Sequence, residues 1–209
     1  SNSGGLTKLG SGRLIIRGSN SYTGPTNVVA GTLSAFEYYW GDMPILGVDS
    51  AVNVSSGAVL ELQGIGSAPY DPCFITIGSL TGSGTITMGS PYDGGVYLKI
   101  GSDNSSTTFS GVITNIPDSS CGGIVKFGSG TLTLSGQNDY SLGTDVDEGT
   151  LKYGANNVIG SGNVIVRGGV LDIGAYSDTV GAITLSGGTI RGTTGILTGT
   201  SYNLISGTV

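Results

Sequence analysis

Apolar residues in this 209-residue chain recur at every second position in short runs. Leu14-Ile15-Ile16, Ala51-Val52-Asn53-Val54, Val59-Leu60-Glu61-Leu62 and Phe74-Ile75-Thr76-Ile77 come first. Thr85-Ile86-Thr87-Met88, Val96-Tyr97-Leu98-Lys99-Ile100 and Thr131-Leu132-Thr133-Leu134 follow, then Asn163-Val164-Ile165-Val166, Val170-Leu171-Asp172-Ile173 and Ala182-Ile183-Thr184-Leu185. Alternation of this kind predicts strands with one face buried. No segment spaces its apolar residues for a helix. Asp93-Gly94 is the one dipeptide of the kind favoured in tight hairpins, and the strands are joined instead by Ser-Gly, Gly-Ser-Gly and Gly-Gly. Small corner residues let a strand bend into the next side of a coil. The pattern predicts an all-β solenoid of parallel strands, about three strands and roughly 20–25 residues to a coil, in about eight or nine coils. At the spacing of neighbouring strands such a rod is roughly 40 Å long.

One stretch occurs twice. Residues 5–33 read GLTKLGSGRLIIRGSNSYTGPTNVVAGTL, and residues 123–151 read GIVKFGSGTLTLSGQNDYSLGTDVDEGTL, at a constant offset of 118. Fourteen of the 29 positions are identical: Gly5, Lys8, Gly10, Ser11, Gly12, Leu14, Gly18, Asn20, Tyr22, Thr26, Val28, Gly31, Thr32 and Leu33 with their counterparts. Looser echoes continue, AVNVSSGAVLEL against NVIVRGGVLDI. The expected organisation is a single β-helix segment over 1–209, with one repeat unit over about 5–122 and a truncated second over about 123–209. A truncated unit implies a fragment of a longer array.

Composition narrows the chemistry. Gly accounts for 40 residues without a Gly-X-Y period, and charged residues for only 11%. The hydrophobic share of 37% argues against disorder. Net charge is −6, and the eight Lys and Arg are scattered, so nucleic acid is not an expected partner. No apolar run is long enough for a transmembrane helix. Histidine is absent, which removes Ser-His-Asp and Cys-His catalysis and the usual zinc sets. The Gly-Ser-Gly-Thr runs at 82–85 and 128–131 lack the Lys of a phosphate loop and read as corners.

The run Lys-x-Gly-Ser-Gly-x-Leu-x-x-x-Gly-x-Asn-x-Tyr, followed by Gly-Thr-Leu, resembles the passenger-associated repeat of bacterial autotransporters. It is carried by Lys8, Gly10, Gly12, Leu14, Gly18, Asn20, Tyr22, Gly31, Thr32 and Leu33, and again by Lys126, Gly128, Gly130, Leu132, Gly136, Asn138, Tyr140, Gly149, Thr150 and Leu151. Leu80-Thr81-Gly82-Ser83-Gly84-Thr85 is similar to a corner that often follows in that family. The second copy departs at Ser141-Leu142-Gly143-Thr144, where the first has Thr23-Gly24-Pro25-Thr26, and a changed turn is expected there. The resemblance implies a right-handed single-stranded parallel β-helix, exported by a type V route and displayed at the outer membrane or secreted. Its shared motifs are structural, so it implies no activity and no cofactor.

Candidate sites lie outside the motif. Ser34 to Gly47 takes 14 residues where the second copy spends nine (Lys152 to Gly160), and carries Phe36, Tyr38, Tyr39 and the single Trp, Trp40. Clustered aromatics on a loop bind sugar rings or dock into partner surfaces, and equally fold back to cover an edge. Tyr70 and Tyr92 stand in two further loops. Asp145 and Asp147 would point to one face of a strand about 7 Å apart and are weak candidates for calcium. With Glu148 they are also the carboxylates that a polysaccharide lyase or glycosidase on this fold would use. Asn27 and Val29 replace Asp145 and Asp147 in the first copy, so the acids are not part of the motif. Cys73 and Cys121 are candidates for one disulfide, or are buried thiols.

The reading that results is a non-enzymatic stalk that presents loops for adhesion, aggregation or biofilm contact, with glycans or surface proteins of a host or matrix as partners and self-association along its flank. Two alternatives stand beside it: the lyase or glycosidase, with carboxylates converging on a cleft, and a β-sandwich carbohydrate-binding module, with antiparallel strands.

Overall fold

The computed structural model describes residues 3–37, 44–47, 49–64, 72–90, 95–119 and 122–209. Every strand pair among them is parallel, and the chain winds as a solenoid. The sandwich alternative, which needs antiparallel pairs, is therefore not the fold.

Twenty strands stack into three sides. The first side holds β1 (Leu6–Lys8), β3 (Thr26–Val28), β5 (Ala51–Val54), β8 (Ser79–Gly82), β11 (Thr107–Phe109), β14 (Thr131–Leu134), β16 (Thr150–Tyr153) and β18 (Val170–Gly174). The second holds β2 (Arg13–Arg17), β4 (Thr32–Glu37), β6 (Val59–Gly64), β9 (Thr85–Gly89) and β12 (Val112–Asn115). The third holds β7 (Cys73–Ile77), β10 (Val96–Ile100), β13 (Gly122–Lys126), β15 (Gly143–Val146) and β17 (Asn163–Val166). Two long strands, β19 (Asp178–Gly192) and β20 (Leu197–Thr208), bend from the third side to the first, so β19 pairs with both β17 and β18.

Alternation puts like on like along the stack. Leu14, Leu33, Leu60, Ile86 and Ile113 form one inward ladder on the second side. Leu132, Leu151, Leu171 and Ile190 form another on the first. Ile75, Leu98 and Ile124 do the same on the third. Most of these side chains are fully buried, each worth roughly 1.5–3 kcal/mol. The stack thus needs few charges to hold together.

The coils are of two kinds, which refines the uniform coil of about three strands. At the first motif copy, and from the second copy onward, a coil takes 19–20 residues and two strands: Leu6 pairs with Thr26, Gly123 with Gly143, Gly143 with Asn163, and Val164 with Ile183. The third side of such a coil is a turn segment. Between the motifs a coil takes 23–28 residues and three strands, as when Cys73 pairs with Val96 and Ala51 with Ser79.

The two motif copies do not lie on the same sides. Lys8 ends β1 on the first side, while Lys126 ends β13 on the third. From β1 the chain regains the first side at β3, β5, β8 and β11, four full turns, then crosses β12 and reaches β13, two sides further. The second motif copy therefore lies four and two-thirds turns on from the first, and starts one side back.

Candidate functional site

The motif residues build the coil. Lys8 and Lys126 are buried, 5% and 1% exposed. Lys8 Nζ donates to the carbonyls of Leu9 (2.8 Å), Gly10 (2.7 Å) and Ala30 (2.9 Å). Lys126 Nζ donates to Phe127 (2.6 Å), Gly128 (2.7 Å) and Glu148 (3.4 Å). Each lysine satisfies three carbonyls at a corner that no strand pairs, spanning one coil and the next. Burial pulls Lys126 down to about 8, with the Glu148 carboxylate opposing.

Asn and Tyr supply the side that lacks a strand. Asn20 Nδ2 donates to Ile45 O (2.8 Å) in the coil above, and Asn138 Nδ2 donates to Val158 O. Asn138 Oδ1 also accepts from Ile113 N (2.6 Å) in the coil below, on the second side. Tyr22 Oη meets Thr26 Oγ1 at 2.7 Å, and Tyr140 Oη meets Thr144 Oγ1 at 2.8 Å. The expected change of turn at 141–144 is seen at Gly143, whose φ of 140 the Pro25 ring forbids in the first copy, and the strand starts one position earlier there. The flanking bonds persist: Gly24 N to Gly4 O (3.0 Å) becomes Leu142 N to Gly122 O (2.8 Å).

Of the residues singled out from the sequence, Phe36 lies half-buried on the outside of β4, with the Arg17 guanidinium 5.4 Å from its ring centre. Tyr38, Tyr39, Trp40, Tyr70, Tyr92 and Cys121 lie outside the described residues. The strand ends around them are in register. Glu37 at the end of β4 pairs with Gly64 at the end of β6, and Gln63 pairs with Gly89 at the end of β9. Cys73, Val96 and Gly122, which open β7, β10 and β13, form one rung. The connections holding Tyr70 and Tyr92 therefore join the same edge of the second side to the same edge of the third, in neighbouring coils, and the 38–43 segment leaves the same edge from β4. Cys73 is buried at that edge.

Asp145 on the outside of β15 and Asp147 just past its end lie together, but Arg167 Nη1 stands between them, 2.8 Å from Asp145 Oδ2 and 2.9 Å from Asp147 Oδ1. The guanidinium occupies the place a cation would take. Among the described residues no three His, Cys, Asp or Glu side chains converge. Glu148 is exposed. Burial raises the Asp145 carboxyl, with the Arg167 hydrogen bond and charge opposing. A cleft of about 440 Å³ near the C-terminal end is lined by Ile173, Ile183, Ile190, Leu197, Tyr202 and Leu204, with Arg191 as its charged member. A second, of about 230 Å³, has Asp118 as its one carboxylate. Neither offers the paired carboxylates of glycoside chemistry.

Sequence reasoning missed two buried charges besides Lys8. One is Lys126, whose identity with Lys8 was the available signal. The other is Asp178, buried at the start of β19, which accepts from Ile159 N (3.2 Å) and Thr179 N (2.8 Å). Burial raises its carboxyl despite those bonds.

A model of the passenger-associated-transport-repeat family matches residues 6–35 and 124–152, the two stretches that hold the lysine corners and the Asn–Tyr sides. This is a chain of the autotransporter-passenger type. Over 191 residues it is 37% identical to the adhesin BmaC autotransporter of Brucella suis biovar 1 (strain 1330), across 90% of this chain and 5% of that protein. The chain spans about one twentieth of the length of the curated relative it matches. No solved structure matches it. A passenger segment of this type belongs at the bacterial cell surface or in the secreted fraction.

Proposed function

We propose that this segment is a non-enzymatic spacer and display rod whose coils hold contact loops away from the cell, for adhesion, aggregation or biofilm contact. The observation that carries the proposal is the shared edge: the connections after β4, β6 and β9, which carry Tyr38, Tyr39, Trp40, Tyr70 and Tyr92, all leave one edge of the second side. Aromatics offered in neighbouring coils suit a saccharide chain or a flat protein surface, because rigid rings give contact area at little entropic cost. The adhesin relative supports the reading. The ion-paired Asp145 and Asp147 and the carboxylate-poor clefts favour it over a lyase or glycosidase. The partners are host or matrix glycans or surface proteins, and no cofactor is called for. A glycan array probed with the wild-type chain and with a Tyr39→Ala, Trp40→Ala variant tests it. Binding lost in the variant supports display by these loops, and binding kept removes them from the account.

A further inference from the structure

The outside of the third side differs from the other two. Outward positions elsewhere are mostly Thr, Ser, Asn or charged, as at Asn53, Thr81, Thr87, Thr131 and Thr133. On the third side one outward column runs Phe74, Tyr97, Gly123, Gly143, Asn163. The rings of Phe74 and Tyr97 stack 5.7 Å apart at 19°. Below them two successive glycines leave the column without side chains. A Cβ at Gly123 would collide with the edge of the Tyr97 ring, so that ring leans over the glycine. In the neighbouring column Lys99 lies 5.8 Å from the Phe74 ring centre and 5.3 Å from that of Phe127. Asp145, clasped by Arg167, closes the same face. Tyr97 feels both charges: burial and the Asp145 carboxylate push its hydroxyl up, and Arg167 opposes them.

We propose that this face, with Tyr97 as its floor and the Asp145–Arg167 pair as its rim, is a second contact site, for a neutral saccharide chain lying along the rod. The inference rests on the adhesive reading above but uses none of the corner loops. A sugar ring offers an apolar C–H face, which stacks on an aromatic ring, and a border of hydroxyls, which both donate and accept. The Tyr97 ring fills the space over Gly123, and Gly143 below it adds no side chain to the column. The carboxylate accepts and the guanidinium donates at its border. Among the described residues Lys99 and Arg167 stand against Asp145 and Asp147 on this face, which favours an uncharged ligand over a uronate or a sulfated chain.

The test is binding of neutral hexose and N-acetylhexosamine oligosaccharides, with uronate chains beside them, to four folded proteins: wild type, Tyr97→Leu, Tyr97→Phe, and the Tyr39→Ala, Trp40→Ala loop variant. Leucine keeps apolar cover over Gly123 and removes the flat ring, so folding is preserved. The expected result is binding of neutral chains weakened about tenfold or more by Tyr97→Leu and kept within about twofold by Tyr97→Phe. Binding lost only in the loop variant overturns this site and leaves the corner-loop reading intact. Equal binding by wild type and Tyr97→Leu, no binding of neutral chains by wild type, or binding of uronate chains alone overturns it as well.

Discussion

Lys126 Nζ lies 2.7 Å from the carbonyl oxygen of Gly128, and 118 residues earlier Lys8 Nζ lies 2.7 Å from that of Gly10. The contact is the same although the two lysines lie on different sides of the rod. Replacing Lys126 with Met fills the space but leaves three corner carbonyls without their donor. Lys126→Met is expected to cost about 1–3 kcal/mol in urea unfolding.

The same lysine sets a pH dependence. The folded chain releases its proton near 8 and the unfolded chain near 10.5. Between those values the unfolded state holds more protons, so this group makes stability rise with pH. Below about 8 both states are protonated and its contribution is flat. The urea midpoint of the wild type is expected to climb from pH 8 to about 9.5, short of the tyrosine range, and the climb is expected to vanish in Lys126→Met. An equal climb in both proteins would remove Lys126 as its source.

Gly12 and Gly130 hold the same place in the two copies but meet different neighbours. A Cβ on Gly12 meets nothing within 4 Å, whereas one on Gly130 would overlap the carbonyl of Ser105 in the adjoining coil. Gly130→Ala is expected to destabilise by about 2 kcal/mol or more, and Gly12→Ala by less than about 0.5 kcal/mol. Thermal unfolding of the two variants separates them.

Asn138 ties three coils: it accepts from Ile113 N and donates to Val158 O, with Gly136 O at 3.3 Å. In Asn138→Ala the buried Ile113 amide loses its acceptor, at a cost of about 1–3 kcal/mol. Hydrogen exchange is expected to quicken at Ile113 more than at residues of β16 and β18.

Much of this was legible because it repeats. Alternation gave the inward ladders, the Gly-Ser-Gly runs gave the corners, and identity between two 29-residue stretches at an offset of 118 marked the motif. The coil lengths were not legible, since 19 and 28 residues close the same turn, with two strands in the one and three in the other. Without them no spacing says that Arg167 reaches back 22 residues to Asp145, or that Tyr97 lies over Gly123. The burial of Lys126 was not legible because buried lysines are rare, and only its place in the repeated motif beside Lys8 set it apart. The shift of one side between copies follows from counting strands, which a sequence with two kinds of coil does not permit.

The central claim divides the chain into a rod that holds shape and corner segments that make contact. Replacing residues 38–43 with a Gly-Ser linker of the same length, then measuring thermal unfolding and glycan binding on one preparation, tests that division most directly. The account predicts a Tm within about 2 °C of wild type together with loss of the binding that depends on Tyr39 and Trp40. A chain that unfolds many degrees earlier, or one that binds as the wild type does, would contradict it.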